Sequence, residues 1–232
     1  MVLPPPKSNS SCFSYDDNLK RILDVKTEYQ AILNIQKINK VYDVNGFIRQ
    51  ENKKCKVLGL HPGCNANRKD TRWSAENYMN LALLFRKKFN GRVLIFGGPS
   101  EEEIVRMMVN KAEDIEIKAV IGQPLLKVAV LINKCDLFVS NDSGLASISM
   151  GMGVPSIGIF GPTDTNRHRT IFSKAILLGE RLPCCPCINT DHYLHCPDGD
   201  FIYKTSSDSP MCLQLISVNE VFQQVSELLT NN

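Results

Sequence analysis

Residues 136–160 read DLFVSNDSGLASISMGMGVPSIGIF. The apolar run at 136–140 predicts a short buried strand, and residues 154–160 predict another. Small residues at 141–144 open a helix that we expect to end near Met152. Two buried strands joined by a helix predict a βαβ unit, in which the strands are parallel.

The same alternation continues towards the amino terminus and once towards the carboxyl terminus. The further predicted segments are strands at 56–61, 92–96, 119–121 and 175–178, and helices at 74–89, 101–111 and 124–133. Strands of nearly continuous apolar character are typical of a parallel sheet that is covered on both faces. The sequence therefore predicts an α/β fold with a doubly wound, Rossmann-like parallel sheet.

The chain divides into two regions. Residues 1–50 begin with a leader rich in proline and serine and continue as polar sequence with scattered apolar residues. Residues 51–232 contain the predicted sheet, then a tail rich in cysteine and proline from Leu182 onwards. The tail ends in an amphipathic helix, predicted over 218–229.

Composition narrows the class of protein. The 232 residues are 43% hydrophobic and 22% charged, as in an ordinary globular protein. A net charge of +3, evenly spread, argues against binding of nucleic acid. The longest apolar runs fall well short of the roughly 18 residues that span a bilayer, and the amino terminus lacks a signal-peptide pattern, so we expect a cytoplasmic protein. Nine cysteines, an odd number without an export signal, argue against a disulfide framework.

Polar, glycine-containing junctions follow four of the predicted strands, at 61–65, 97–101, 122–124 and 141–144. Because the carboxyl ends of parallel strands meet at one edge of a sheet, these junctions should converge. At 141–144, small residues at a helix start leave backbone N–H groups available for an anion such as a diphosphate. Asp142 would serve either as the helix N-cap or as an acceptor for sugar hydroxyls.

The other junctions leave alternatives open. Gly97 and Gly98 lie in a loop without the G-x-G-x-x-G pattern or the P-loop Lys-Ser/Thr, which argues against a dehydrogenase or a P-loop NTPase. Glu101 either accepts hydrogen bonds from a ribose or only complements the helix dipole. The stretch 67–73 carries three cations beside the first junction, suited to a diphosphate or simply solvated, and we expect Trp73 to lie in the core.

Together these stretches resemble glycosyltransferase family 9, the ADP-heptose:lipopolysaccharide heptosyltransferases. The matching segments are 61–82, 93–103 and 131–164, and the cysteines of the tail also resemble the end of that family. The resemblance implies a GT-B enzyme, in which two Rossmann-like domains enclose a cleft. The carboxyl-terminal domain binds the nucleotide sugar, the amino-terminal domain binds the acceptor, and transfer inverts the anomeric carbon.

The resemblance also implies a donor-binding site drawn from all four junctions. Its residues are Cys64, Asn65, Lys69, Arg72, Glu101, Gln123, Asp142, Ser143, Gly144 and Ser147. Lys69 or Arg72 would face the diphosphate beside the first junction, and Glu101 matches a nucleotide-contacting glutamate. Gln123 lies where the base is held, and Asp142 is a candidate for sugar contacts.

Three features depart from the family pattern. Ser147 stands where the family motif has a histidine, and Thr71 stands where a lysine is usual. Residues 1–50 resemble the family's interdomain region, so we expect the acceptor-binding domain, about 150 residues with the expected general base, to be missing. The alternatives are a non-catalytic nucleotide-sugar-binding module or inactive remnant and, third, a sugar epimerase of GT-B type.

The resemblance implies an ADP-sugar as donor, no required cofactor, and a lipid-linked core saccharide as acceptor. Peripheral association with the inner face of the cytoplasmic membrane would follow from such an acceptor. In the tail, four cysteines could supply ligands for a structural zinc ion, or they could be reduced thiols that pack a loop. They are Cys184, Cys187, Cys196 and Cys212.

Overall fold

The computed structural model describes residues 47, 55–64, 71–165, 175–179, 181–182, 185–186 and 209–230. Its strands are β1 (Val57–His61), β2 (Arg92–Gly97), β3 (Ile117–Ile121), β4 (Leu137–Asn141), β5 (Ser156–Ile159) and β6 (Ala175–Leu178). Its helices are α1 (Ala75–Phe89), α2 (Glu102–Ala112), α3 (Leu125–Asn133), α4 (Gly144–Gly151), α5 (Met211–Gln214) and α6 (Val218–Thr230), with a 3-10 helix at Pro99–Glu101.

The six strands form one sheet in the order β3-β2-β1-β4-β5-β6, and every pairing is parallel. The predicted α/β fold is therefore confirmed. The chain builds outwards from β1 to β3 and then returns to add β4 on the other side of β1. The strand order thus reverses between β1 and β4, which is where open α/β sheets bind their ligands.

Alternate strand residues supply two separate cores. On β2, Val93 and Ile95 pack in the larger core with residues of α1, α2 and α6, whereas Leu94 and Phe96 pack in the second core with residues of α3 and α4. All four side chains are fully buried. Burial on both faces explains why the strand reads as a continuous apolar run.

The edge strand β3 is longer than its predicted span. The strand begins at Ile117 rather than at residue 119, and Lys118 lies within it, only partly buried. An edge strand has one side without a neighbouring strand, so it tolerates a charged residue that interrupts the apolar run. No helix in the described part of the chain is long and apolar enough to cross a membrane.

Trp73 joins the start of α1 to the carboxyl-terminal segment. The side chain is 1% exposed, which confirms its predicted place in the core. Its indole Nε1 donates a hydrogen bond to the carbonyl of Ile216 at 2.8 Å, between α5 and α6. Next in the chain, Ser74 caps α1 by accepting a hydrogen bond from the amide of Asn77.

Candidate functional site

A cavity of about 1180 Å³ lies at the carboxyl edge of the sheet, and residues of all four polar junctions line it. The lining includes seven of the ten predicted site residues: Cys64, Glu101, Gln123, Asp142, Ser143, Gly144 and Ser147. These junctions are far apart in sequence and meet because the strands that precede them are parallel neighbours. The cavity occupies the switch point between β1 and β4, where a ligand site is expected.

The start of α4 is capped by Ser143 rather than by Asp142. The Ser143 Oγ accepts a hydrogen bond from the Ala146 amide at 3.2 Å. The preceding amides, those of Gly144 and Leu145, have no acceptor within the helix, because the first amides of any helix lack one. Both of these residues line the cavity, so this helix start presents N–H groups and the positive end of the dipole towards it.

Asn141, the last residue of β4, holds the first junction in place. Its side chain is fully buried. The Nδ2 group donates to the carbonyls of Pro62 at 2.9 Å and Gly63 at 3.2 Å.

The Oδ1 atom of Asn141 accepts from the Trp73 amide at 2.9 Å and from the Tyr78 hydroxyl at 3.1 Å. Burial raises the pKa of Tyr78 well above its ordinary value, so the phenol keeps the proton it donates. One amide side chain thus joins β4, the β1 junction and the start of α1.

Glu101 is a buried carboxylate that connects two junctions. It is 4% exposed, and its Oε1 accepts from Arg72 at 3.0 Å and from the Ser100 hydroxyl at 2.6 Å. Its Oε2 accepts from the Gly98 amide at 3.0 Å. The carboxylate therefore does more than complement a helix dipole: it orders the β2 loop and ties it to the residues that follow β1.

Arg72 lies behind the cavity wall. Its guanidinium contacts two lining residues, donating to the Cys64 Sγ at 3.2 Å through Nε and to Glu101 through the terminal nitrogen. Arg72 itself is not among the described residues that line the cavity. Because one planar guanidinium donates to both side chains, it fixes the two junctions relative to each other.

His61 is a lining residue that the sequence reasoning did not assign. It is 6% exposed, and its Nδ1 lies 3.0 Å from the Ser143 Oγ. Burial is the largest influence on His61: it lowers the pKa from 6.5 to about 4, although the nearby Glu101 carboxylate opposes that effect and Arg72 adds a smaller lowering. The imidazole is therefore neutral at physiological pH.

Gly63 makes room for this arrangement. A Cβ atom on Gly63 would lie 2.7 Å from the His61 Nε2 and 2.8 Å from the Glu101 Cγ. The side chains of His61 and Glu101 therefore both lie close to Gly63, and any larger residue there would have to displace them.

The far end of the cavity is apolar. Gln123 lines it, but its Nε2 donates to the backbone carbonyl of Ile121 at 3.1 Å. Around it stand the hydrophobic side chains of Phe96, Val120, Leu125, Val128 and Ile148. Leu125 is 61% exposed, so one side of this end opens to solvent. Apolar side chains at this end favour an uncharged part of a ligand, such as an aromatic ring.

Several predicted residues lie outside the described part of the chain. They are Asn65 and Lys69 of the donor site and Cys184, Cys187 and Cys196 of the tail. Cys212 is described: it is buried, and its Sγ would lie 3.1 Å from a Cβ on Gly161. Among the described residues, no three histidine, cysteine or acidic side chains are grouped so that they could hold a metal ion.

The fold and cavity together define a Rossmann-like domain with a polar site at its switch point. A sequence profile of glycosyltransferase family 9 (heptosyltransferase) matches residues 18–196. The chain therefore belongs to glycosyltransferase family 9.

Among characterised proteins, the chain is 30% identical over 182 residues to lipooligosaccharide heptosyltransferase 2 of Campylobacter jejuni, covering 76% of this chain and 52% of that protein. Among solved structures, it resembles ADP-heptose LPS heptosyltransferase II of E. coli, with a TM-score of 0.63, 19% identity and coverage of 83% and 51%. It also resembles E. coli heptosyltransferase WaaC with ADP-2-deoxy-2-fluoro heptose, with a TM-score of 0.55, 16% identity and coverage of 86% and 47%. The chain thus spans about half the length of these relatives.

Proposed function

We propose that this domain binds the ADP-sugar donor of an inverting heptosyl transfer to a lipopolysaccharide core acceptor. The observation that carries the proposal is the cavity at the switch point, which is lined both by the start of α4 and by apolar side chains. The proposal also draws on family membership and on the ADP-heptose analogue held by a structural relative.

The donor would lie along the cavity with its diphosphate at α4. The amides of Gly144 and Leu145 and the helix dipole would stabilise the phosphate charge, and Asp142 would accept from sugar hydroxyls. The adenine would lie at the apolar end of the cavity, beside Gln123. Glu101 would face the ribose. Its carboxylate accepts three hydrogen bonds from the protein and has a further lone pair that can accept one from a ribose hydroxyl.

The reaction itself would need a second group of residues. Inversion requires a base that removes the proton of the acceptor hydroxyl as that oxygen attacks the anomeric carbon, while the nucleoside diphosphate leaves. We assign this base to the acceptor-binding domain of a two-domain enzyme and to none of the described residues. A lipid-linked acceptor would place the reaction at the inner face of the cytoplasmic membrane.

Isothermal titration with ADP, ADP-heptose, UDP and GDP tests donor binding. We expect the two adenine nucleotides to bind and the others to bind at least about tenfold more weakly, the difference that 1.4 kcal/mol makes. The E101Q variant should lose affinity because the change weakens the contact with Arg72. E103Q is the matched control, since Glu103 is exposed in the first turn of α2 and does not line the cavity. Equal affinity for all four nucleotides, or no binding at all, would contradict the proposal.

A second candidate function is that of a nucleotide-sugar-binding module without catalysis. Ser147, which lines the cavity, favours it, because the family motif has a histidine there. A transfer assay with ADP-heptose and a truncated core acceptor separates the two functions. Turnover would exclude the module, whereas binding of ADP-heptose without turnover, in the presence of an acceptor-binding domain, would favour it.

A further inference from the structure

His61 contacts a residue of the proposed donor site from the opposite side of the switch point. His61 ends β1 and Ser143 follows β4, and 82 positions separate them in the sequence. The imidazole is buried, lines the cavity and places Nδ1 3.0 Å from the Ser143 Oγ. The Ser143 Oγ also accepts from the Ala146 amide, so the hydroxyl that caps α4 is the one that His61 contacts.

The surroundings of the imidazole favour one tautomer. The Nε2 atom of His61 and the Glu101 carboxyl carbon would lie 2.7 and 3.0 Å from a Cβ on Gly63, and the nearby negative charge favours a proton on Nε2. Nδ1 is then an acceptor, and the Ser143 hydroxyl can donate a hydrogen bond to it. In this arrangement the Ser143 hydroxyl donates to His61 and accepts from Ala146, so its rotamer is fixed from both sides.

We propose that His61 is a positioning residue of the donor site, whose Nδ1 accepts a hydrogen bond from the Ser143 hydroxyl. This hydrogen bond holds the first turn of α4 in the orientation that presents its amides to the diphosphate. The inference rests on the proposed function and extends it to a residue outside the predicted site. His61 acts through Ser143, and the phosphate contacts remain those of the Gly144 and Leu145 amides.

Two substitutions separate Nδ1 from the rest of the ring. The amide of asparagine branches at the same carbon as the imidazole, so in H61N the Oδ1 falls near the position of Nδ1. The amide of glutamine lies one bond further out, near Nε2, so H61Q lacks an acceptor for Ser143. Losing one such hydrogen bond should weaken ADP binding about tenfold in H61Q, and H61N should recover most of that loss.

The experiment measures the dissociation constants of ADP and of adenosine for wild type, H61N and H61Q. Adenosine lacks phosphates, so H61Q should leave its affinity unchanged while weakening ADP; a change that merely loosened the fold would weaken both. H61Q in the S143A background should add little, because His61 acts only through the Ser143 hydroxyl.

Several results would overturn the inference. Unchanged ADP affinity in H61Q, equal losses for ADP and adenosine, or an H61N variant as weak as H61Q would each do so while leaving donor binding intact. If wild type bound no ADP, the proposed function would fail and the inference with it, a result distinct from the other three.

Discussion

The neutral, buried state of His61 makes the stability of the domain depend on pH. The pKa of His61 in the folded protein is about 4, against 6.5 for an unperturbed histidine. The unfolded chain therefore binds a proton between these values that the folded chain does not bind. The contribution of neutral His61 to the free energy of unfolding is fully present above pH 6.5, and it is lost as the pH falls from 6.5 towards 4.

The magnitude follows from the two pKa values. The loss should be about 2 kcal/mol at pH 5 and about 3 kcal/mol once the pH is well below 4. Against a typical total of about 5–15 kcal/mol for a domain, such a change is easily measured. Glu101 and Arg72 face His61 with opposite charges, and their effects are already contained in its pKa.

Urea unfolding of wild type and H61N at pH 7 and at pH 5 measures the pH-dependent contribution of His61 to stability. H61N has no titrating group at this position and keeps an acceptor for Ser143, so the difference between the two proteins isolates His61. The remaining three histidines are common to both and cancel.

A second acid-sensitive group lies outside this window. Burial raises the pKa of Asp114, but hydrogen bonds from the Arg86 side chain and the Glu116 amide outweigh it, so the net pKa lies below 3.8. Stability from Asp114 is lost only below that value.

If wild type and H61N lost equal stability between pH 7 and pH 5, the conclusion that His61 is buried in its neutral form would be refuted.

Two further predictions concern the β1 junction. G63A should destabilise the domain by about 1–3 kcal/mol in urea unfolding, because its Cβ would lie 2.7 Å from the His61 Nε2. The control is G144A, whose Cβ would meet no atom within 4 Å and whose stability should stay within about 0.5 kcal/mol of wild type. Equal stability of the two variants would contradict the packing argument. N141D should cost about 3 kcal/mol, since it replaces the donor to two buried carbonyls with an acceptor; an unchanged urea midpoint would show that Asn141 does not hold the junction.

The sheet could be predicted because a strand that is buried on both faces is a continuous run of apolar residues in the sequence. Strands β1, β2 and β4 are continuous apolar runs, and their predicted spans agree with the structure to within a residue or so at each end. The start of β3 was missed because an edge strand can carry a charged residue such as Lys118. Whether a strand lies at the edge of the sheet depends on the order of the strands, which a short stretch of sequence does not determine.

The details of the site were less predictable, because they depend on contacts between distant residues. Asp142 and Ser143 are both good N-cap residues, and only the backbone path shows that Ser143 fills that position. Glu101 reads as a first-turn acid of a helix, yet a 3-10 turn precedes α2 and directs the carboxylate inwards. Asn141 reads as the start of a junction, and its role rests on carbonyls 78 and 79 positions away.

These buried contacts connect the proposed donor site to the carboxyl-terminal segment. The Asn141 Oδ1 accepts from the Trp73 amide, and the Trp73 indole donates to Ile216, so hydrogen bonds link the end of β4 through Trp73 to the segment between α5 and α6. Ser209 adds a second link by donating to the Arg72 carbonyl at 2.6 Å. Because buried polar groups cost free energy when they lose a partner, displacement of this segment would be felt at Arg72 and Asn141. The carboxyl-terminal helices therefore support the geometry of the proposed donor site, although none of the described residues that line the cavity belongs to them.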